Sequence, residues 1–504
     1  MRFITLLASC LLVACSASKE ASKSKLSSNT AVLAPAIPAA VNVNQADVAK
    51  DIRYLASDEL GGRGTGSAGI EKAATYIAGV FAEASIAIVS GTKRYTQLVP
   101  LIEQASTISA TLEVADQIYV QGEDLLVLSQ SAIDKSAALR FYGQVSAEEL
   151  SQENLEGTIV VTLAGSKEEG DPRIFYKLAL EKQKAVAAQG GLALIELYRS
   201  PRAPFSQVSR FLGGSGLEID KSSGVDIPLI WLNDPKGSNL QVMDESAGTA
   251  VKLSLKPGAR KVIPASNILG FIEGTDPTLA QEIVVISAHY DHLGIDGSRG
   301  GVDSIFNGAR DNGLGTAALL GVARHFGTHP GKRPILLAAW TAEEKGLLGS
   351  EYFVESPIVP LKNIAYNLNF DGAGYDDTTS VTINGYGRTT AQSSIDAAVA
   401  KVGLKPNPDP IPEMNLYQFS DNWSFAKKGI PAMNMAPGFT GFSPELMKYY
   451  HQAGDHADGL DFAYVTRYVT AAVAASQAVV NLQHKPEWMD GDALAPTSKK
   501  MEKQ

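Results

Sequence analysis

The sequence predicts an α/β protein in which helices flank a mostly parallel central sheet, with a small α/β domain inserted into the chain. From Ser266 onward, apolar strand-like runs alternate with helix-like runs. This alternation is typical of a parallel sheet covered by helices on both faces. Residues 118–258 differ, because short β-rich runs surround one helical stretch there and none of the seven histidines falls in this region. We therefore expect a separate domain in this region, with a binding role or a role as a lid.

The length of 504 residues allows about two to four domains, and changes of composition divide the chain into segments. These segments are a signal peptide at 1–15, a linker at 16–42, a main domain at 43–117 and 259–489, an inserted domain at 118–258 and a polar tail at 490–504.

Periodic patterns predict the main elements of both domains. Helical periodicity from Asp47 to Ile88 is interrupted by a glycine-rich loop at Gly61–Gly66. This loop does not predict a phosphate site, because no strand precedes it and no Lys-Ser/Thr pair follows it. Further expected elements are the strands Glu282–Ser287, Pro334–Trp340, Asn363–Asn369, Thr158–Leu163, Leu192–Leu197 and Ile227–Leu232, and the helices Thr316–Phe326, Ala391–Val402 and Phe175–Ala188.

Charge and cysteine usage exclude several classes of function. The formal net charge is −10 and the pI is about 5.3, which argues against binding to nucleic acid or to an anionic membrane surface. The two cysteines, Cys10 and Cys15, both lie in the first fifteen residues. The rest of the chain therefore has no thiol, and any metal site in it must use nitrogen and oxygen ligands.

The N-terminus has the pattern of a targeting signal. A positive Arg2 precedes the short apolar run Phe3–Val13, which is too short to span a bilayer. The run ends in Leu-Val-Ala-Cys15, which resembles a bacterial lipobox, where the chain is cut before a cysteine that receives diacylglycerol. A plain signal peptide is the alternative. We expect attachment to the bacterial cell envelope through this anchor only, at the outer membrane because Ser16 follows the cysteine.

Three predicted strands of the main domain each end in residues that can carry chemistry. His289 and Asp291 follow the first strand, Glu343 and Glu344 the second, and Asp371 the third. In open α/β sheets, sites form beyond the carboxyl ends of the strands. Each residue alone has an ordinary explanation, such as a turn or a solvated acidic pair, so the prediction rests on their occurrence together.

Two further segments contribute candidates to the same rim. Asp311 lies in a turn-rich loop that opens a helix, and His451 lies near the end of the domain. Histidine and carboxylate together suit Zn²⁺ where thiolates are absent.

The local spacing suggests different roles for neighbouring residues. In an extended segment, residues i and i+2 project to the same side, so Asp291 can support His289. Adjacent Glu343 and Glu344 project to opposite sides, so one can bind a metal while the other reaches a water molecule.

The ordered motifs closely resemble those of the co-catalytic di-zinc aminopeptidases of metallopeptidase clan MH, which include bacterial leucyl aminopeptidase. The matching segments are Leu55–Arg63, His289-x-Asp291, Asn307–Gly313, Thr341–Gly346, Asn369–Asp371 and Tyr450–Asp455. The middle region is similar to the protease-associated domain inserted in many members, most clearly in Glu156–Val161 and Lys184–Leu197.

The resemblance implies an enzyme that removes N-terminal residues from peptides with two Zn²⁺ ions. It implies that Asp311 bridges the two ions and that the peptide bond after it is cis. His289 and Asp371 would complete one metal site, and Glu344 and His451 the other. The resemblance further implies that Glu343 is the general base and that Asp291 supports His289.

Some residues depart from the family pattern or lie beside it. Arg310 stands where relatives often carry Asp or Asn, so it either pairs with an acid or lowers the pKa of its neighbours. We expect His292 and His456 to lie beside the site or at the surface, not to bind metal. Asp421 is expected to be structural or to contact substrate. The loop Ala436–Phe442 either lines a specificity pocket or simply packs.

Other functions are compatible with the same fold. A carboxypeptidase or a glutaminyl cyclase-like enzyme would keep the architecture, and the cyclase would use one zinc ion. A non-catalytic binding lipoprotein would be expected to have lost metal ligands, and none is lost in the sequence.

Overall fold

The structure is a computed structural model that describes residues 41–165, 172–200, 204–212, 216–220, 227–299 and 303–495. The predicted signal peptide with Cys15, nearly all of the linker and residues 496–504 of the polar tail lie outside the described residues. Within the described part of the chain, no helix combines the length and the apolar composition that a membrane crossing requires.

The main sheet has nine strands, and its four central strands are parallel neighbours. In space these four are Ile335–Trp340, Ile283–His289, Ile364–Asn369 and Ala432–Pro437. Antiparallel strands extend the sheet at both edges. The remaining strands are Ala87–Ile88, Thr96–Leu98, Ser266–Ile272, Ser380–Asn384 and Lys405–Pro408. The predicted α/β class is therefore confirmed, with a parallel centre and mixed edges.

The central strands are buried along their whole length, which explains their near-continuous apolar sequences. Alternate residues face opposite layers. Val284 and Ile286 pack into one apolar cluster, whereas Ile283 and Val285 pack into another. The first central strand runs two residues beyond its predicted end, so it ends at His289 itself.

Helices cover both faces of the main sheet. One layer contains the helices Gln45–Leu55, Ala68–Glu83, Leu314–Phe326, Gln392–Lys401 and Phe462–Val480. The other layer contains the shorter helices Leu348–Glu355 and Asn422–Ala426. The side chain of Asn44 accepts a hydrogen bond from the N–H of Ala46 and so caps the first helix. This cap sets the start of the helix at Gln45.

A second sheet of eight strands is formed by the middle of the chain and has its own apolar cores. Its strands are Ser109–Val114, Gln117–Val120, Leu125–Ser129, Ile133–Gly143, Ile159–Leu163, Ala193–Tyr198, Leu229–Asn233 and Ala250–Lys256. The helices of this region are Ala147–Leu150, Pro172–Ala188, Phe205–Leu212 and Ser238–Glu245. The three strands and the long helix predicted there are present. The sheet begins at Ser109, ahead of the expected boundary at residue 118.

A small three-stranded sheet joins the two large sheets. Its strands Leu101–Gln104 and Arg260–Ile263 are the two chain connections, and Gly216–Ile219 is a strand that returns from the middle region. Side chains from all three strands pack around Ala342, which directly precedes Glu343. The middle region therefore contacts the back of a loop that carries two of the predicted site residues.

The second sheet contains a buried ion pair. Lys182 Nζ lies 2.8 Å from Glu196 Oε1, with side chains only 3% and 0% exposed. Lys182 also donates to the carbonyl of Leu163, and Trp231 Nε1 donates to Glu196 Oε2 at 2.8 Å. Burial raises the pKa of Glu196 and outweighs the opposing effect of Lys182. Removing one partner would leave the other buried without its counter-charge.

We expect Lys182→Met to destabilise the second sheet by about 3–5 kcal/mol, because an uncompensated buried carboxylate is costly. The measurement is peptide-resolved hydrogen exchange at increasing urea over the strands Ile159–Leu163 and Ala193–Tyr198. Lys252→Met is the matched control, since Lys252 pairs with Glu113 at 3.9 Å on the exposed surface, where such pairs contribute about 0–1 kcal/mol. Equal effects of the two substitutions would contradict the role assigned to the buried pair.

Candidate metal centre

Histidine and carboxylate side chains from separate segments meet at the carboxyl ends of the central strands. His289 Nε2 lies 3.1 Å from Asp371 Oδ1 and 3.4 Å from Asp311 Oδ1. His289 is the last residue of its strand, and Asp371 follows the neighbouring parallel strand. Parallel pairing of these strands therefore brings the two side chains to one rim.

A second group shares the carboxylate of Asp311. His451 Nε2 lies 3.2 Å from Asp311 Oδ2 and 3.2 Å from Glu344 Oε2. The two oxygens of Asp311 therefore face two different histidines. All five residues predicted as metal ligands lie in one connected cluster.

Glu343 and Asp291 lie at the edge of this cluster. Glu343 Oε2 is 3.9 Å from His289 Nε2. The carboxylate of Asp291 accepts hydrogen bonds from the N–H groups of Glu343 at 3.0 Å and of Glu344 at 3.4 Å. Its Oδ1 is 3.7 Å from His289 Nδ1, whereas its backbone carbonyl lies at 3.3 Å from the same nitrogen. Asp291 thus contacts the glutamate loop through its carboxylate and His289 mainly through its backbone.

His292 belongs to the cluster more closely than its sequence context suggests. Its ring is fully buried, and Nδ1 lies 2.7 Å from Glu344 Oε1. Ligand atoms of His292, Asp311 and Glu344 lie within 4.8 Å of one another, and Nε2 of His292 is buried without a hydrogen-bond partner. The only signal for it in the sequence is its position one residue after Asp291. By contrast, His456 is 45% exposed and pairs with Asp303, which confirms the expected surface position.

The loop that carries Asp311 is held by buried polar contacts. The Asp311–Asn312 peptide bond is cis. Asp455 Oδ2 accepts from the N–H groups of Arg310 and Asp311, at 2.9 and 3.2 Å. From the opposite side, the buried Arg63 donates to the carbonyls of three segments, namely Leu55, Tyr290, Asn307 and Gly308. The N-terminal segment thereby ties two of the motif loops together.

Electrostatic effects across the cluster are large. Burial would raise the pKa of Asp311, but hydrogen bonds to His289 and His451 lower it well below its usual range. Burial likewise opposes ionisation of Glu344, yet its contacts with His292 and His451 lower its pKa to about 2. The pKa of His451 rises to about 10, because hydrogen bonds to Asp311 and Glu344 outweigh its burial. The cluster therefore strongly favours positive charge.

Two other carboxyl groups near the cluster have raised pKa values. Burial raises the pKa of Glu343, and the charges of Asp371 and Asp421 add to this while His289 opposes it. Asp421 is completely buried, and neither carboxylate oxygen has a hydrogen-bond partner. Burial raises its pKa to about 7 against the opposing charge of His289. Crowded carboxyl groups of this kind are stabilised when a cation binds among them.

The donor set fits one or two divalent cations. Two groups of three possible ligand atoms each lie within 4.8 Å, and they contain imidazole nitrogen and carboxylate oxygen only. The shared carboxylate of Asp311, whose two oxygens face different histidines, is the feature that a pair of metal ions would satisfy. Nitrogen and oxygen donors of this type are suited to zinc.

The cluster opens into a cavity of about 600 Å³. One wall consists of the histidine and carboxylate residues described above, and much of the other wall is apolar. The apolar lining comprises Leu347, Met414, Leu416, Phe419, Phe439 and Phe442. Phe442 contacts Tyr450, which stacks on His451 with ring centroids 4.1 Å apart. The loop Ala436–Phe442 therefore contributes both of its phenylalanines to the cavity.

Relatives with curated names provide an independent comparison. Aminopeptidase YwaD of Bacillus subtilis is 25% identical over 326 residues, which cover 63% of this chain and 64% of that protein. The probable lipoprotein aminopeptidase LpqL of Mycobacterium tuberculosis is 32% identical over 193 residues, covering 38% of this chain and 33% of that protein. The chain thus matches less than two thirds of the length of each relative.

A solved zinc aminopeptidase from Bacillus subtilis aligns with 88% of this chain and with 97% of its own chain, with a TM-score of 0.47 at 22% identity.

Residues 267–476 match the family model described as Peptidase family M28. This range contains four central strands and all five candidate metal ligands. Residues 267–476 are therefore similar in sequence to peptidase family M28.

Proposed function

We propose that this protein is a di-zinc aminopeptidase that removes residues from the N-termini of peptides. The observation that carries the proposal is the shared carboxylate of Asp311, whose two oxygens face His289 and His451 beside Glu343. This is the arrangement required of a residue that bridges two metal ions. The names of the two curated relatives, both aminopeptidases, support the same reaction class.

The proposed ligands divide into two sets that share Asp311. His289 and Asp371 complete one set, and Glu344 and His451 complete the other. Zinc, when bound, would supply a Lewis acid that polarises the scissile carbonyl and acidifies water. Asp291 would hold the loop of Glu343 and Glu344 in position, because its carboxylate accepts hydrogen bonds from the N–H groups of both residues.

Glu343 is proposed as the general base and acid. Its carboxylate lies at the edge of the metal cluster and lines the cavity. Burial raises its pKa, which suits a group that takes a proton from water and returns it to the leaving amine. Because Glu344 engages His292 and His451 instead, the two adjacent glutamates have separate roles.

The charge of the cavity favours an aminopeptidase over a carboxypeptidase. Among the described residues that line it, none is Lys or Arg, whereas four are acidic. Recognition of a C-terminal carboxylate is usually provided by such a cation. With these carboxylates engaged by bound zinc, the described lining would offer no cationic side chain to a C-terminal carboxylate. The apolar wall of the cavity further suggests a preference for uncharged N-terminal side chains.

The remaining parts of the chain have proposed roles around this centre. Residues 43–117 and 259–489 would form the catalytic domain, and the middle region would be a protease-associated domain. Its separate sheet and apolar cores support an independent folding unit. Cys15 would carry a lipid that attaches the protein to the cell envelope, and the relative named as a probable lipoprotein aminopeptidase supports this. Outer-membrane sorting rests on Ser16 alone and stays a prediction.

The proposed activity is tested with the purified full chain on a panel of aminoacyl nitroanilides. We expect cleavage of substrates with apolar residues, loss of activity with a chelator, and recovery on adding zinc. N-acetylated versions should not be cleaved, because they lack the free amine. A peptide blocked at its C-terminus should still be cleaved. Activity on the acetylated substrates only, or cyclisation of N-terminal glutamine without hydrolysis, would overturn the proposal.

The proposed base is tested with Glu343→Gln, which keeps the shape of the side chain but removes its basicity. We expect kcat to fall by about 10²–10⁴-fold, the usual contribution of a general base, while the zinc content stays at the wild-type level. Glu351→Gln is the matched control, since Glu351 lies on the following helix and is partly exposed. Full activity of the zinc-loaded Glu343→Gln variant would exclude this residue as the base.

The proposed anchor is tested by comparing the two cysteines. Cys15→Ser should abolish incorporation of labelled fatty acid and release the protein from the membrane fraction of the producing bacterium. Cys10→Ser should leave both properties unchanged, because Cys10 lies within the apolar run and not at the expected cleavage site. Labelling that persists in Cys15→Ser would rule out the lipobox assignment.

A further inference from the structure

Arg310 is a buried cation next to the proposed bridging ligand, and its guanidinium contacts both flanks of His451. Its central carbon lies 3.7 Å from the ring centroid of Tyr449, two residues before His451. On the other flank, Nη1 lies 3.0 Å from Asp455 Oδ1, and Nη2 donates to the carbonyl of Gly459 at 3.0 Å. Arg310 is only 4% exposed, so these contacts are shielded from solvent.

The segment around His451 has little regular structure to hold it. Between Pro437 and Phe462, a stretch that is described throughout, the chain forms short 3-10 turns and neither an α-helix nor a strand. His451 itself has a φ of +55° and a side chain that is 34% exposed. The position of its imidazole therefore depends on side-chain contacts made by its neighbours.

The same contacts connect His451 to Asp311. Asp455 binds the guanidinium of Arg310 through Oδ1, and through Oδ2 it accepts from the N–H groups of Arg310 and Asp311. One buried carboxylate thus joins the loop of the proposed bridging ligand to the segment of the proposed second-site ligand. Removing the guanidinium would remove side-chain contacts that hold the His451 segment next to the Asp311 loop.

The environment is shaped around the arginine. A Cβ on Gly374 would lie 2.9 Å from Arg310 Cδ, so a glycine at this position leaves room for the side chain. The charge of Arg310 is matched by Asp455, which is 1% exposed. Of the two alternatives raised by the sequence, the structure therefore favours pairing with an acid.

We propose that Arg310 is a positioning residue that holds His451 in place for the second metal ion. This inference rests on the proposed function, because it assumes that His451 is a zinc ligand. Arg310 acts through Tyr449 and Asp455 and does not itself contact the ion or the substrate. The family pattern of Asp or Asn at this position would not supply the same planar, stacked cation.

The test is a calorimetric titration of metal-free protein with zinc. In Arg310→Met we expect the first zinc to bind as in the wild type and the second to bind about 10–100-fold more weakly, the usual cost of losing a residue that supports a ligand. Arg310→Lys and Tyr449→Leu should give smaller losses of the same kind, and they cover the case in which Arg310→Met does not fold. Arg324→Met is the matched control, since Arg324 forms a bidentate pair with Asp51 away from the cluster.

A double-mutant cycle identifies the route of the effect. If Arg310 acts through His451, then adding Arg310→Met to His451→Ala should weaken second-site zinc binding no further. The proposal would be overturned if Arg310→Met lowered the zinc affinity of both sites equally. It would also be overturned if Arg310→Met had the same effect on zinc affinity in the His451→Ala background as in the wild type. Wild-type zinc binding by Arg310→Met would overturn it as well.

Hydrogen exchange of the metal-free protein separates this proposal from the proposed function. Arg310→Met should speed exchange of the amides at 445–456 and leave the helix Phe462–Val480 unchanged. If the wild type binds no zinc, the proposed function fails, and faster exchange limited to 445–456 would still support the restraint by Arg310. Unchanged exchange in that segment would overturn the restraint whatever the metal content.

Discussion

The crowding of carboxylates at the end of the central sheet is the constraint on which the rest of the site depends. Asp311, Glu344 and Asp371 lie within about 3 Å of imidazole nitrogens in a largely buried setting. Such a group is costly to bury without positive charge among its members. The raised pKa of His451 follows from its hydrogen bonds to Asp311 and Glu344 and shows that positive charge is favoured here.

The surrounding structure holds this cluster mainly through backbone groups. Arg63 binds carbonyls from the N-terminal segment and two motif loops, Asp455 binds the amides before and at Asp311, and Asp291 binds the amides of both glutamates. Contacts of this kind fix loops that have no regular structure of their own. The middle region adds apolar packing behind Ala342. The proposed protease-associated domain therefore packs against the loop that carries the proposed base.

Much of the fold and of the site could be predicted because the relevant signals are local. The strands that end near His289, Glu343 and Asp371 are mostly apolar runs, so their positions could be predicted from the sequence. His292 was expected beside the site or at the surface, and the structure places its ring buried against Glu344, which no local pattern indicates. The second sheet begins at Ser109, ahead of the expected boundary, with a strand whose polar and apolar residues alternate.

The sequence by itself determined which donor atoms are available and which strands they follow, because the absence of thiols after Cys15 and the apolar periodicity are properties of the chain alone. Only the tertiary structure decided that the two oxygens of Asp311 face different histidines and that Arg310 pairs with Asp455 across the His451 segment. These contacts join residues that are far apart in the chain. Their geometry follows from strand pairing and loop packing, which no local pattern records.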